Sequence, residues 1–175
     1  MEQEITAIPG AGAIIEREEN GVSYILMQER QKTGVSAREN GLLEIPAGKI
    51  RAQESIFDTL RREVLEETGL RITQIMGEDA ASAYEANGYT VVSFEPFSCS
   101  QNLEGDYPIM VFVFLCKAEG TLLSQSDESR NYRWTSLAEV ARYVTEDAEK
   151  LYPMHVDTLR KYVHYKQKEQ QGHDS

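Results

Sequence analysis

Two spacings of apolar residues alternate along the chain, and each change of spacing marks a change of element. Strand-like apolar runs predict strands over Ile5 to Arg17 and Val22 to Arg30, arranged around a Glu19-Asn20-Gly21 turn. Gln31 to Asn40 is polar and reads as a loop, and Leu42 to Pro46 reads as a short strand running into Ala47-Gly48. Helical spacing takes over at Ser55, where Phe57, Leu60 and Val64 recur on one face and predict a helix to Thr68. Ser55 suits the N-cap, with Asp58 three residues on in place of the usual Glu, and Gly69 stands where a left-handed C-terminal cap belongs. Further strands are predicted over Ile72 to Gly77, Tyr89 to Phe94 and Ile109 to Lys117, the last preceded by Pro108 and a polar loop, Gln101 to Asp106. Helices follow over Leu137 to Val144 and about 154–167, the second with Val156, Leu159 and Val163 on one core-packing stripe beside Tyr162. The polar stretch 168–175 is expected to fray. Together these elements predict an α/β fold, a mixed sheet flanked by helices.

Composition narrows the function classes. No repeat, low-complexity tract or Pro/Gly/Ser-rich linker divides the 175 residues, so a single domain is expected over 1–175, with its core at about 5–145. The net charge of -11 argues against long nucleic acid, whose phosphates demand a basic surface. A small anionic substrate remains compatible if a divalent metal intervenes. The opening MEQEITAIPG carries acids where a secretory signal needs basic and then apolar residues. The apolar run from Ile109 to Cys116 is far too short for a membrane helix. Cys99 and Cys116 form no CxxC pair and read as reduced, buried thiols. A cytoplasmic setting without membrane contact is the expectation.

One segment carries chemistry. From Gly48 to Leu70 the chain reads GKIRAQESIFDTLRREVLEETGL. On its helix Glu63, Glu66 and Glu67 fall within an arc of about 100°. Three carboxylates so placed repel one another unless something positive sits among them, and hard divalent cations take oxygen ligands of this kind. The apolar face of the same helix would hold that metal face rigidly, and Gly48 permits a close backbone approach through which its carbonyl could join. Runs such as REVLEE are also common on solvated helix faces, so the hexapeptide alone does not decide the matter.

The full spacing does. Gly48, Glu54, Arg62, Glu63, Val64, Glu66, Glu67, Gly69 and Leu70 reproduce G-x5-E-x7-R-E-U-x-E-E-x-G-U, with U aliphatic. A chance match is on the order of one in a billion per starting point, from average residue usage. The segment resembles the Nudix box. The likeness extends more loosely over about residues 5–145, through a strand ending in Arg30, the Glu44-Ile45-Pro46-Ala47-Gly48 lead-in and the late Tyr132-Arg133-Trp134 strand. It implies an α/β/α sandwich with the box as loop-helix-loop. It also implies Mg2+ or Mn2+ held by Glu63, Glu66, Glu67 and the Gly48 carbonyl, with Glu54 and Arg62 holding loop and helix in position. A homodimer is common in the family.

The resemblance implies a catalytic base on the loop before the late strand or on the box helix itself; Asp127 and Glu128 occupy that loop, Glu128 is favoured, and Glu95 and Glu104 elsewhere in the chain are weaker alternatives. Arg30 is a candidate phosphate contact; Tyr84, Tyr89 and Phe97 are either base-stacking or core aromatics. His155, His164 and His173 lie on or after the final helix and read as solvent-facing or packing residues. The Glu44–Gly48 lead-in is similar to that of ADP-ribose and nucleotide-sugar pyrophosphatases. The expected reaction is therefore hydrolysis of the pyrophosphate in a nucleoside diphosphate linked to another moiety. The alternatives are a nucleoside triphosphate pyrophosphohydrolase, a non-catalytic nucleotide sensor and an RNA decapping enzyme.

Overall fold

A twelve-residue strand, β1 (Ile8–Glu19), organises the sheet of the computed structural model, which describes residues 4–33, 38–105 and 107–173. Its first half pairs in parallel with β9 (Ile109–Glu119), from Ile8↔Ile109 to Ile15↔Cys116. Its second half turns through Asn20-Gly21 into an antiparallel partner, β2 (Val22–Arg30). The remaining strands add to this frame. β3 (Leu43–Glu44) pairs with β2, β4 (Ala47–Lys49) with β1, β5 (Arg71–Ile75) and β8 (Ser98–Gln101) with β9, and β10 (Ser129–Ser136) with the outer edge of β2. β6 (Ser82–Ala86) and β7 (Tyr89–Ser93) form a separate two-stranded hairpin.

Strand alternation splits the core into two layers. Ile14, Ile25, Met27, Val113 and Leu115 face α2 (Leu137–Glu146) and α3 (Pro153–His173), meeting Val140, Leu159 and Tyr162. Ala13, Ile15, Leu26 and Phe114 face the other way and meet Phe57, Leu60 and Val64 of α1 (Ile56–Thr68). The result is the mixed sheet between helices that the pattern predicts. Among the described residues, no helix is long and apolar enough to cross a membrane.

Helix α1 has the boundaries read from its caps. The Ser55 hydroxyl accepts from the Asp58 N–H at 3.1 Å, and Gly69, at φ 80°, donates to the Leu65 carbonyl at 3.0 Å. Both ends are thus fixed, and with them the direction in which the acidic face points.

Several expectations need correction. The first strand starts at Ile8 rather than Ile5, whose side chain is exposed. The expected strand over Leu42 to Pro46 shrinks to the two residues of β3, because Pro46 cannot donate to a ladder and its carbonyl instead accepts from Ala13. β6 and β8 were not predicted: SAYEA and SCSQ lack an apolar alternation. Cys99 lies exposed on β8, whereas Cys116 is buried as expected. Helix α3 runs on through His173 instead of fraying from Lys168. Its last turns are rich in good helix formers and carry a Lys166–Glu169 ion pair at 2.7 Å. Tyr84 and Tyr89 are exposed on the hairpin, and Phe97 packs edge-on to Tyr162 and Tyr165. Asp106, residues 34–37 of the predicted loop and residues 174–175 of the predicted tail lie outside the described residues.

Gly69 gives the fold a direct test. A Cβ there would stand 2.9 Å from the Thr121 carbonyl oxygen, on a left-handed backbone. Gly69→Ala should therefore destabilise the protein by about 1–3 kcal/mol, seen as a lower urea midpoint at unchanged slope.

Candidate functional site

The site forms where the acidic face of α1 meets β4. Glu63 lays its carboxylate against the α-carbon of Gly48, so close that any Cβ at that position would overlap it. Across the ladder, Gly10 and Gly12 of β1 flank this contact, and a Cβ at Gly10 would stand 3.2 Å from the Gly48 carbonyl oxygen. Small residues thus let helix, loop and strand close up here.

Arg62 ties the loop to the helix. Its Nε and Nη2 donate to the two oxygens of Glu54 at 2.7 and 2.8 Å, Nη2 also reaches the Lys49 carbonyl at 3.2 Å, and Nη1 donates to Glu63 and Glu66. Glu54 accepts further from the Thr59 hydroxyl at 2.8 Å and the Arg51 N–H at 3.2 Å. The bonds from Arg62 pull the Glu54 carboxyl down to about 2. This pair does what the sequence suggested, clamping the loop onto the helix.

The three helical carboxylates occupy three different environments. Glu66 is exposed, with Arg51 at 3.9 Å. Glu63 is half-buried and held by Arg62. Glu67 is buried, accepting from Gln28 Nε2 at 2.9 Å and from the Ala47 N–H at 3.2 Å. Burial, then the neighbouring Glu44, push its carboxyl up to about 8. Here the structure qualifies the helical-wheel picture: among the described residues, no three His, Cys, Asp or Glu side chains converge as a ready cage. Arg62 engages an oxygen of Glu63, and Gln28 an oxygen of Glu67. The donor set nevertheless fits a hard divalent cation. It offers carboxylate and carbonyl oxygens, a glycine cradle around Glu63, and a buried Glu67 that makes no ion pair among the described residues.

Beside these residues opens a cavity of about 800 Å³. Gly48 and Glu63 line one side, and Asp127 and Glu128, on the loop before β10, line another. Glu128 is paired with Lys32, a cation on the cavity wall that the sequence reading did not single out. Burial lowers the Lys32 ammonium, against the raising influence of Glu67 and Glu44. Glu95 and Glu104 are not part of this wall. Arg30 does reach the cavity, but its guanidinium is already engaged: Glu44 at 2.7 Å, Glu39 at 2.9 Å and the Tyr152 ring at 4.1 Å.

Sequence reasoning also passed over Gln28 and treated the three histidines alike. Gln28 had a signal, a lone amide inside the apolar run ILMQER; it bridges Glu67 and the Ser129 hydroxyl, at 2.7 Å, across two strands. His164 is exposed, and the side chain of His173 lies outside the described residues. His155 is fully buried in the cavity wall, its Nδ1 accepting from the Ile45 N–H at 3.3 Å. Burial, and then Arg30, push this imidazole down to about 3.

Comparison with known proteins agrees with this architecture. The NUDIX domain model matches residues 6–155. Among solved structures, a MutT protein from Methanosarcina mazei is 21% identical, covering 94% of this chain and 99% of that one, with a TM-score of 0.60. The NUDIX domain of Shewanella oneidensis NrtR, solved with ADP ribose, is 13% identical over 91% of this chain and 88% of that one, with a TM-score of 0.61. A C. elegans Ap4A hydrolase is 20% identical, covering 91% of this chain and 97% of that one, with a TM-score of 0.51. At these identities the likeness shows the fold. No curated protein sequence gives a significant match.

The buried imidazole has a measurable consequence. Between its ordinary value of about 6.5 and about 3, the unfolded chain takes up a proton that folded His155 refuses, so stability falls as pH falls through that window. The full effect is about 1.4 kcal/mol per pH unit. Urea unfolding of His155→Gln at pH 6.5, 5.5 and 4.5 should show a shallower loss than wild type, by about one proton.

Proposed function

The chain belongs to the NUDIX family and is a Nudix hydrolase, and from that premise we propose that it uses Mg2+ or Mn2+ to hydrolyse the pyrophosphate of a nucleoside diphosphate linked to another moiety. The family acts on the pyrophosphate bonds of nucleotide derivatives and generally uses divalent metals. The observation that carries the reading is the Glu63 carboxylate seated on Gly48, with Glu67 buried beside it, at the mouth of a cavity that also holds Lys32 and Glu128.

In this reading the Gly48 carbonyl, Glu63, Glu66 and Glu67 hold the ion. When bound there, such an ion would supply charge neutralisation at phosphorus and a more acidic attacking water. Arg62 and Glu54 keep the loop and helix in register while this happens. Gln28 holds Glu67 in place. Lys32 adds positive charge for the phosphates, and Glu128, released from Lys32, accepts the proton of the attacking water. Arg30 contributes to the substrate wall through its stack on Tyr152 rather than as a free phosphate clamp. The leaving group is a phosphate ester, so no covalent enzyme intermediate is needed. The Glu44–Gly48 lead-in supports an ADP-ribose or nucleotide-sugar type of substrate, as does the likeness to the NrtR domain, which was solved with ADP ribose.

A panel of ADP-ribose, nucleotide sugars, dinucleoside polyphosphates and triphosphates tests this directly. Nucleoside monophosphate plus a sugar phosphate is expected; nucleoside monophosphate plus pyrophosphate would assign the triphosphate reaction instead, and full turnover in excess chelator would refute metal dependence. Glu67→Gln should lower kcat by at least about a hundredfold while thermal unfolding is unchanged or raised, since a buried carboxylate is removed. Glu128→Gln should lower kcat by about 10²–10⁴ with little change in substrate binding; an unaltered rate would place the base elsewhere.

A further inference from the structure

In the cavity wall, the Nε2 of His155 is one of three buried side-chain polar atoms that have no hydrogen-bond partner among the described residues. The main-chain N–H of Ile45 can only donate, so the Nδ1 of His155 that receives it, at 3.3 Å, carries no proton. A neutral ring must then hold its proton on Nε2. That nitrogen is buried and makes no hydrogen bond within the described structure, although its ring forms part of the cavity wall beside Arg30, Glu44 and Tyr152. An unsatisfied buried donor is rare and costly. The nearby charges do not supply an acceptor. Glu44 is engaged by Arg30 at 2.7 Å, and the Tyr152 ring meets the imidazole edge-on, with centroids 5.3 Å apart.

We propose that His155 is a substrate-recognition residue, whose Nε2–H donates to a neutral acceptor on the part of the substrate beyond the pyrophosphate. The inference rests on the hydrolase reading above and deepens it. The acceptor chemistry is a carbonyl, ring nitrogen or hydroxyl oxygen, which either a nucleobase or a sugar can provide. A charged acceptor is disfavoured there, because Glu44 and Glu39 already neutralise Arg30 and the imidazole itself stays uncharged. The bond from Ile45 sets the tautomer and the T-shaped packing on Tyr152 sets the tilt of the ring. Because Nε2 is buried, a ligand reaches it only by displacing the side chains beside it, a step that suits discrimination between substrates.

The test uses the full chain. Binding of AMP, GMP, UMP and ribose 5-phosphate in Mg2+ is measured by calorimetry for wild type, His155→Leu and His155→Gln. Loss of one hydrogen bond should weaken binding about tenfold in His155→Leu. A loss confined to the nucleotides puts the acceptor on the base; a loss extending to ribose 5-phosphate puts it on the sugar. His155→Gln should keep most of the affinity, because its carbonyl can accept from Ile45 while its amide still donates. Substrate kinetics should show the same change in KM with kcat nearly constant. If His155→Leu does not fold, imidazole ¹⁵N spectra of wild type decide the question. An Nε2–H tautomer whose signal moves on adding ligand supports the proposal, and an Nδ1–H tautomer or an unmoved signal overturns it. Should wild type hydrolyse nothing in the panel, the hydrolase reading falls. Should it hydrolyse well while His155→Leu binds every ligand as wild type does, only this inference falls.

Discussion

The site depends on a missing side chain. Because Gly48 has no Cβ, the carboxylate of Glu63 can lie directly against the backbone of β4, and helix α1 can approach the sheet at its acidic face as well as its apolar one. Elsewhere that acidic face would be held off by its own charge and hydration. Here Arg62 offsets part of the charge, Gln28 and the Ala47 N–H take another part, and the two glycines of β1 make the room. Acidic side chains are thus gathered along one side of the cavity to which the proposed function assigns a cation and an anionic substrate.

The sequence made the box legible because its residues act through spacing on one rigid element. Caps at Ser55 and Gly69 and the apolar stripe of Phe57, Leu60 and Val64 follow from local periodicity and short range, the pairing of Arg62 with Glu54 follows from the resemblance, and the structure has each of them. What spacing could not convey was how the carboxylates would be divided. Glu63, Glu66 and Glu67 share an arc on the helix, but their surroundings come from β2, β4 and the loop before α1, which are remote in sequence or irregular. The same limit hid Lys32 and His155, which become site residues only when the loop after β2, the loop before β10 and the start of α3 meet around one cavity. The polar strands β6 and β8 left no periodic trace because neither buries an alternating face.

Ion pairs in the site differ in what they do. Arg62 with Glu54 is a multiply bonded fork that fixes geometry, whereas Arg30 with Glu44 is a buried pair whose formation offsets the cost of taking both charges out of water. Stacking on Tyr152 adds to the second pair and turns a charged residue into part of a flat wall. Arg30 thus enters the cavity wall already paired with two carboxylates.

The parallel pairing of β1 with β9 sets the order in which such a molecule can be completed. Ile8 finds its partner Ile109 only after the whole box, the hairpin of β6 and β7, and β8 have been made. Closing so long a stretch of chain is entropically slow, so the central strand waits, with one edge unpaired, for late-arriving sequence. Nascent chains paused before that point would present an apolar ribbon from Ala11 to Ile15 to their neighbours. The strand that organises the finished enzyme is therefore also its main liability during synthesis.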